Sequence, residues 1–192
     1  GPSGSGKDTV MTELFKKMPE LLFSISSITR AMRVGEREGE KYNFITRERF
    51  EDMLKNDRLL EHNEFVGNYY GTPREPVERA VANGQDMVIE VDVNGAAQIR
   101  EKMPEAVSIF IMPPSFAELK RRLSGRGAES EELIQKRLAS ALGEIKRAAE
   151  YDYIVVNEDI TAAADDIMSV ILSSRLKTDR QTKIIDEVLS EC

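Results

Sequence analysis

The chain opens on Gly1-Pro2-Ser3-Gly4-Ser5-Gly6-Lys7-Asp8-Thr9, and this run constrains the fold more than any other stretch. Gly1, Gly6 and Lys7 hold the spacing of a phosphate-binding loop. Glycines let backbone N–H groups converge on an anion with no side chain in the way. The helical pattern behind them, Thr9 to Lys17, points its positive N-terminus at the same place. Lys7 adds a full charge for the β- and γ-phosphates of a nucleoside triphosphate. Such a loop belongs between a strand and a helix of an α/β sheet. A flexible glycine-rich terminus is the plain alternative, and Lys7 with a helix directly after it argues against that. Two departures stand out. Asp8 occupies the usual Ser/Thr position, where a carboxylate repels phosphates unless it faces away or helps to hold a metal; Thr9 is then the nearest hydroxyl. The strand expected ahead of the loop is missing, so the expectation is a natural chain that begins upstream of Gly1.

The rest of the sequence alternates buried-strand runs with helical patterns. Strands are expected over Leu21–Ser26, Met87–Val93, Val107–Met112 and Tyr153–Val156. Helical spacing joins Phe50, Met53 and Leu54, and again Val77, Ala80 and Val81 before Gly84. Longer helices carry Leu133, Ile134, Leu138, Leu142 and Ile145, then Ile160, Ile167, Val170 and Ile171. The pattern predicts an α/β fold with a mainly parallel sheet flanked by helices. Residues 27–81 read as an insert, with short strands over Tyr42–Ile45 and Leu59–Phe65. Residues 118–137 read as a basic helical lid around Gly125-Arg126-Gly127. The core is left with 1–26, 82–117 and 138–192. In the tail, Ile184, Ile185, Val188 and Leu189 predict a helix packed on that core, with a partner contact as the alternative.

At 192 residues the chain suits a single domain with small inserts. A net charge of −7 makes nucleic acid and anionic lipid poor partners. No apolar run reaches membrane-spanning length, and no secretory signal precedes the loop. The single cysteine, Cys192, excludes a disulfide framework within the chain and a multi-cysteine zinc site. A reducing, cytoplasmic setting is the expectation.

Beyond the loop, an ordered set of segments narrows the reading: Phe23-Ser24-Ile25-Ser26-Ser27-Ile28-Thr29-Arg30, Arg33-Val34-Gly35-Glu36, Tyr42-Asn43-Phe44 and Gly67-Asn68-Tyr69-Tyr70-Gly71-Thr72-Pro73. It continues through Glu90-Val91-Asp92-Val93-Asn94-Gly95-Ala96, Pro113-Pro114-Ser115, Gly125-Arg126-Gly127 and Val155-Val156-Asn157. In this the chain resembles the guanylate kinases, which phosphorylate GMP at the expense of ATP, over nearly its whole length. The resemblance implies a GMP-binding insert, a phosphate-loop core, and Mg²⁺ accompanying ATP.

It also implies site residues. ATP falls to Gly1, Pro2, Ser3, Gly4, Ser5, Gly6, Lys7, Asp8 and Thr9, with Asn157 near the adenine. A carboxylate matching Glu61 reads guanine, whose N1–H and 2-amino group are adjacent donors; adenine would leave that carboxylate unpaired. Hydroxyls matching Ser26 and Thr72 face O6. Arg30, Arg33, Tyr42 and Tyr70 match a clamp on the monophosphate, whose charge suits guanidinium forks. One acid of the pair Glu90 and Asp92 lies near the guanine amine and the magnesium shell. Asp92 is favoured, and with Thr9 it is the expected metal ligand. Arg122, Arg126 and Arg137 match lid arginines, which with Lys7 and Arg33 compensate charge during transfer. His62, the only histidine, lacks triad-like partners and reads as a bystander.

Two other readings stay open. A guanylate-kinase-like binding module would keep the fold and lose catalysis, binding phosphopeptides in the old GMP pocket. Gly6-Lys7 argues against it. An adenylate- or thymidylate-type kinase would share the loop. Glu61 with Thr72 argues against that.

Overall fold

The computed structural model describes residues 1–125 and 131–191. In chain order the elements are α1 (Lys7–Lys17), β1 (Leu22–Phe23), β2 (Ser26–Ile28), β3 (Tyr42–Phe44), α2 (Arg47–Lys55), β4 (Leu59–Phe65), β5 (Asn68–Pro73) and α3 (Arg74–Ala82). They continue with β6 (Met87–Val88), α4 (Val93–Lys102), β7 (Ile109–Met112), α5 (Phe116–Ser124), α6 (Glu131–Lys146), β8 (Tyr153–Val156), α7 (Ile160–Arg175) and α8 (Thr182–Ser190). The chain divides into two compact units: Gly1–Pro19 with Val107–Cys192, and Glu20–Ala106. The residues expected to form an insert, 27–81, all fall in the second.

The first unit is built on α1. Its apolar positions Val10 and Leu14 are fully buried, and the helix packs on α7, which buries Ala163, Ala164 and Ile167. Lys17 and Asp165 pair across these two helices at 2.5 Å. Strands β7 and β8 run parallel, Ile109 opposite Tyr153 through Met112 opposite Val156. Helices α5 and α6 share an apolar seam of Leu119, Leu123, Ile134, Leu138 and Ala141. Ser115 starts α5 properly: its hydroxyl accepts from the Glu118 amide.

The second unit holds a four-stranded mixed sheet in the order β3-β2-β5-β4 and a short parallel pair, β1 with β6. Strands β4 and β5 form a hairpin closed by Val66 and Gly67, both at positive φ, as a two-residue primed turn requires. Phe50 of α2 is buried and stacks on Tyr69 of β5 with ring centroids 5.2 Å apart. Helices α3 and α4 close a core of Leu60, Val77 and Ile99.

Two expectations need correction. The strand expected over Met87–Val93 stops at Val88, because Asp92 caps a new helix: its side chain accepts from the Asn94 and Gly95 amides. Glu90 and Asp92 therefore do not share a strand face. The tail helix forms, yet it buries no residue; Ile184 is 54% exposed and Leu189 66%. Amphipathic spacing predicted the helix correctly and its packing incorrectly, since periodicity reports a face and not what covers it. Among the described residues no helix is long and apolar enough to cross a membrane.

Candidate active site

The loop at the head of the first unit is shaped by its glycines. Gly4 and Gly6 sit at φ +86° and +87°, a region that L side chains rarely occupy. Space forbids side chains as well. A Cβ on Gly4 would lie 2.9 Å from the Leu123 side chain, one on Gly6 would strike Asn157 Nδ2, and one on Gly1 the Ile111 carbonyl. Gly6 then caps α1 with backbone alone. The Lys7 ammonium curls over the loop and donates to the carbonyls of Gly1 at 2.7 Å and Pro2 at 3.0 Å.

Three side chains from elsewhere in this unit fasten the loop. Asn157, 2% exposed after β8, donates through Nδ2 to the Ser5 carbonyl at 2.7 Å. Arg122 of α5 donates to that carbonyl at 3.2 Å and to the Asn157 carbonyl at 3.0 Å. Arg137 of α6 donates to Ser3 Oγ at 3.0 Å. Glu118 orients Arg122 at 2.7 Å and also pairs with Arg121. Those two guanidiniums hold its carboxyl down to about 2. Ser5 Oγ and Asn157 Oδ1 are buried with no hydrogen-bond partner among the described residues. Buried polar atoms of this kind call for a missing partner. Two of the three expected lid arginines thus meet the phosphate loop; Arg126 lies outside the described residues.

In the second unit Glu61 stands on β4 directly opposite Thr72 on β5. It is 6% exposed, and Thr72 Oγ1 donates to its Oε1 at 2.7 Å. The Thr72 proton is thereby committed to Glu61, so its hydroxyl meets a further ligand as an acceptor. Burial pushes the Glu61 carboxyl up, Thr72 pulls against that, and the nearby charge of Asp92 adds to the rise. Helix α4 leaves room for the carboxylate at Gly95, where a Cβ would sit 2.7 Å from Glu61 Oε2. Helix α4 also clips β4 in place. Gln98 exchanges hydrogen bonds with the His62 backbone at 2.8 and 3.1 Å, and Lys102 donates to the Leu59 carbonyl at 2.9 Å. The His62 side chain itself is exposed.

The other acceptor residues gather around Arg30. Its guanidinium lies 5.4 Å from the Tyr42 ring and 5.5 Å from the Phe44 ring. Tyr42 is paired in register with Ser26. Burial raises the Tyr42 phenol, and Glu90 contributes to that rise from the loop after β6. Tyr70 also acts on Arg30. Arg33 is exposed, and its amide donates to Glu36 at 2.7 Å. Asp92, expected as a metal ligand, spends one oxygen on the α4 cap and accepts from Asn63 Nδ2 with the other at 2.6 Å. No cluster of three His, Cys, Asp or Glu suited to a metal occurs among the described residues. The loop nevertheless has the backbone form of a phosphate cradle: Gly4 and Gly6 at positive φ lead directly into the N-terminus of α1. Thr9, the expected hydroxyl for an accompanying cation, is exposed in the first turn of α1.

Sequence reasoning gave no role to Gly95, Glu118 or Glu36. An acid six residues after Arg30 and one four residues before Arg122 were the available signals. Gly95 shows only through its contact with Glu61.

The comparisons with known proteins agree with this geometry. The guanylate kinase family profile matches residues 1–174. The guanylate kinase of Escherichia coli strain K12 is 46% identical over 192 residues, covering 99% of this chain and 93% of that protein. The guanylate kinase of Desulfitobacterium hafniense strain Y51 is 44% identical over 188 residues, with 98% and 94% covered. The crystal structure of guanylate kinase from Anaplasma phagocytophilum superposes with a TM-score of 0.75 at 39% identity, covering 90% of this chain and 84% of that one. With a glycine cradle in one unit, a buried carboxylate in the other and relatives matched along nearly their whole length, the chain belongs to the guanylate kinase family.

Proposed function

We propose that the guanylate kinase activity of this chain, transfer of the γ-phosphoryl group of ATP to GMP to give GDP and ADP, divides between the two units. The loop unit holds the donor and the sheet unit reads the acceptor. The observation that carries the acceptor half is Glu61, a carboxylate buried against Gly95 and steadied by Thr72. A buried carboxylate with open lone pairs wants two adjacent donors, and guanine N1–H and the 2-amino group supply them. Ser26 faces O6. Arg30, Arg33, Tyr42 and Tyr70 take the monophosphate.

On the donor side, backbone amides of the glycine loop, other than the Ser5 amide that donates to the Pro2 carbonyl, and the N-terminus of α1 receive the phosphates. Lys7 gives its charge to the β- and γ-groups. Arg122 and Arg137 lie against the loop where negative charge spreads during transfer, and Arg126 joins them in this reading. Asn157 spends its amide on Ser5, and its place near the adenine in this reading is that of a residue shaping the loop. Magnesium bound with ATP would neutralise phosphate charge, and Thr9 and Asp92 are the residues that would hold it in this reading.

The reaction forms a bond from a GMP phosphate oxygen to the γ-phosphorus and breaks the bond to the β-phosphate oxygen. The attacking oxygen is already anionic, so no general base is needed. The side chains position, compensate charge and exclude water. An ADP-release assay with GMP, AMP, CMP and UMP tests this. Turnover with GMP and background rates with the others are expected. Turnover with AMP and not GMP would transfer the chain to the adenylate type, and nucleotide binding without turnover would favour the binding module.

A further inference from the structure

The loop between β2 and β3 contains an acid to which none of the proposed steps gives a task. Glu36 accepts from Arg30 Nη1 at 2.7 Å and Nη2 at 2.6 Å, and from the Arg33 backbone amide at 2.7 Å. One carboxylate therefore holds both arginines of the acceptor end, one by its side chain and the other by its main chain. Both guanidinium bonds are short and charge-assisted, the strong class of hydrogen bond. The Glu36 carboxyl is held down to about 2 by them, so it stays ionised at any working pH.

The donor count shows what this arrangement leaves. A guanidinium has five N–H groups in a rigid fork. Glu36 takes two end-on, and the Ala31 carbonyl takes one more from Nη1 at 3.0 Å. The remaining Nε–H and second Nη2 hydrogen form the side-on fork, the edge that matches two oxygens of a phosphate, and the Tyr70 hydroxyl lies within reach of the same guanidinium as a companion ligand for that group. The Tyr42 and Phe44 rings flank the same guanidinium. Without Glu36 an arginine on four rotatable bonds could turn any of its edges to the site, and fixing it would cost binding energy.

Resting on the acceptor-site reading above, we propose that Glu36 is a positioning residue: it fixes Arg30 and the 30–36 turn so that the side-on fork of Arg30 meets the GMP phosphate. A carboxylate that merely competed with the phosphate would have the opposite effect, since its removal would tighten GMP.

The test separates the phosphate from the base. GMP and guanosine share the base and differ in the phosphate. Titration of the full chain with each is compared for the wild type, E36Q and E36D. E36Q is expected to weaken GMP about tenfold, leave guanosine within about twofold, and leave the GMP-to-IMP preference in turnover unchanged. E36D, which keeps the charge, recovers part of the loss. KM for GMP rises more than kcat falls. Three results would overturn the proposal: tighter GMP binding by E36Q, unchanged GMP binding, or equal weakening of GMP and guanosine. The last would make Glu36 a prop of the fold. Guanosine binding thus reports folding within the same titration. A wild-type chain that binds guanosine no better than adenosine would instead defeat the acceptor reading itself.

Discussion

In the loop unit the proposed ligand surface is backbone: Gly4 and Gly6 at positive φ and a helix start capped without a side chain, with Asn157, Arg122 and Arg137 hydrogen-bonded to the loop. In the sheet unit the proposed surface is side chain: Glu61 held by Thr72 across the register of β4 and β5, and Arg30 held by Glu36. The contrast follows from what each must read. A triphosphate is the same anion whatever base it carries, and converging amides serve it without specificity. Guanine differs from adenine by the placement of donors, and only a side chain of chosen chemistry tells them apart. The first site is therefore sensitive to space and dihedral angle, the second to charge and hydrogen-bond count.

The largest effect expected from this contrast is at Lys7. Lys7→Met should lower kcat by about 10³-fold, the scale of losing one pre-placed charge at a transition state. Steady-state kinetics check it, and a loss of less than tenfold would mean that Arg122 and Arg137 carry the donor side alone. Next comes Glu61→Gln, which should lower kcat/KM for GMP by roughly 10- to 100-fold, because one of two base donors meets an amide in place of an oxygen. The GMP-to-IMP preference should shrink with it.

Gly95→Ala sharpens the point. Alanine favours a helix over glycine, which offsets part of the crowding of its methyl against Val91 Cβ at 3.0 Å, so at most a modest loss of stability is expected. Yet its methyl would push on Glu61 Oε2, and kcat/KM for GMP should fall by about tenfold with KM for ATP unchanged. Equal loss toward both substrates would place Gly95 in the scaffold.

Titration gives a smaller effect of defined sign. Burial raises the Glu61 carboxyl in the folded chain. Guanine needs the ionised form, so kcat/KM for GMP should fall as pH drops through a value above the ordinary glutamate range. Glu61→Gln should flatten that limb. For stability the raised value works the other way. Glu61 favours folding fully below its unfolded pKa, and that contribution is lost as pH rises through the folded one. At neutral pH, Glu61→Gln should therefore melt at a higher temperature than the wild type, checked by thermal unfolding. The smallest change is expected at Asp8, exposed in the first turn of α1. Asp8→Ser should leave kcat within about twofold, the scale of a screened surface charge. A large loss would make this carboxylate a magnesium ligand.

The same contrast explains what was legible in the sequence. Backbone sites announce themselves through glycine spacing, so residues 1–7 could be read at once. The strand over Tyr153–Val156 and the helices around Leu138 and Ile167 were equally plain, because long periodic runs fix the element type. The end of the strand after Val88 was not, since Asp92 as a helix cap outweighs the apolar run before it. Glu61, Arg30 and Tyr70 were identified by resemblance. What holds them, Thr72 by its proton, Gly95 by its missing side chain and Glu36 by its bond to Arg30, depends on contacts across the fold that no local pattern encodes. The tail helix shows the converse: an apolar face was visible, and its exposure was not.

The division of labour itself is tested most directly by calorimetric titration of ATP and GMP, each separately, into the wild type, Lys7→Met and Glu61→Gln. The account predicts a crossed result: Lys7→Met weakens ATP and spares GMP, while Glu61→Gln weakens GMP and spares ATP. If either substitution weakened both nucleotides alike, the separation of a backbone-built donor site from a side-chain-built acceptor site would be contradicted.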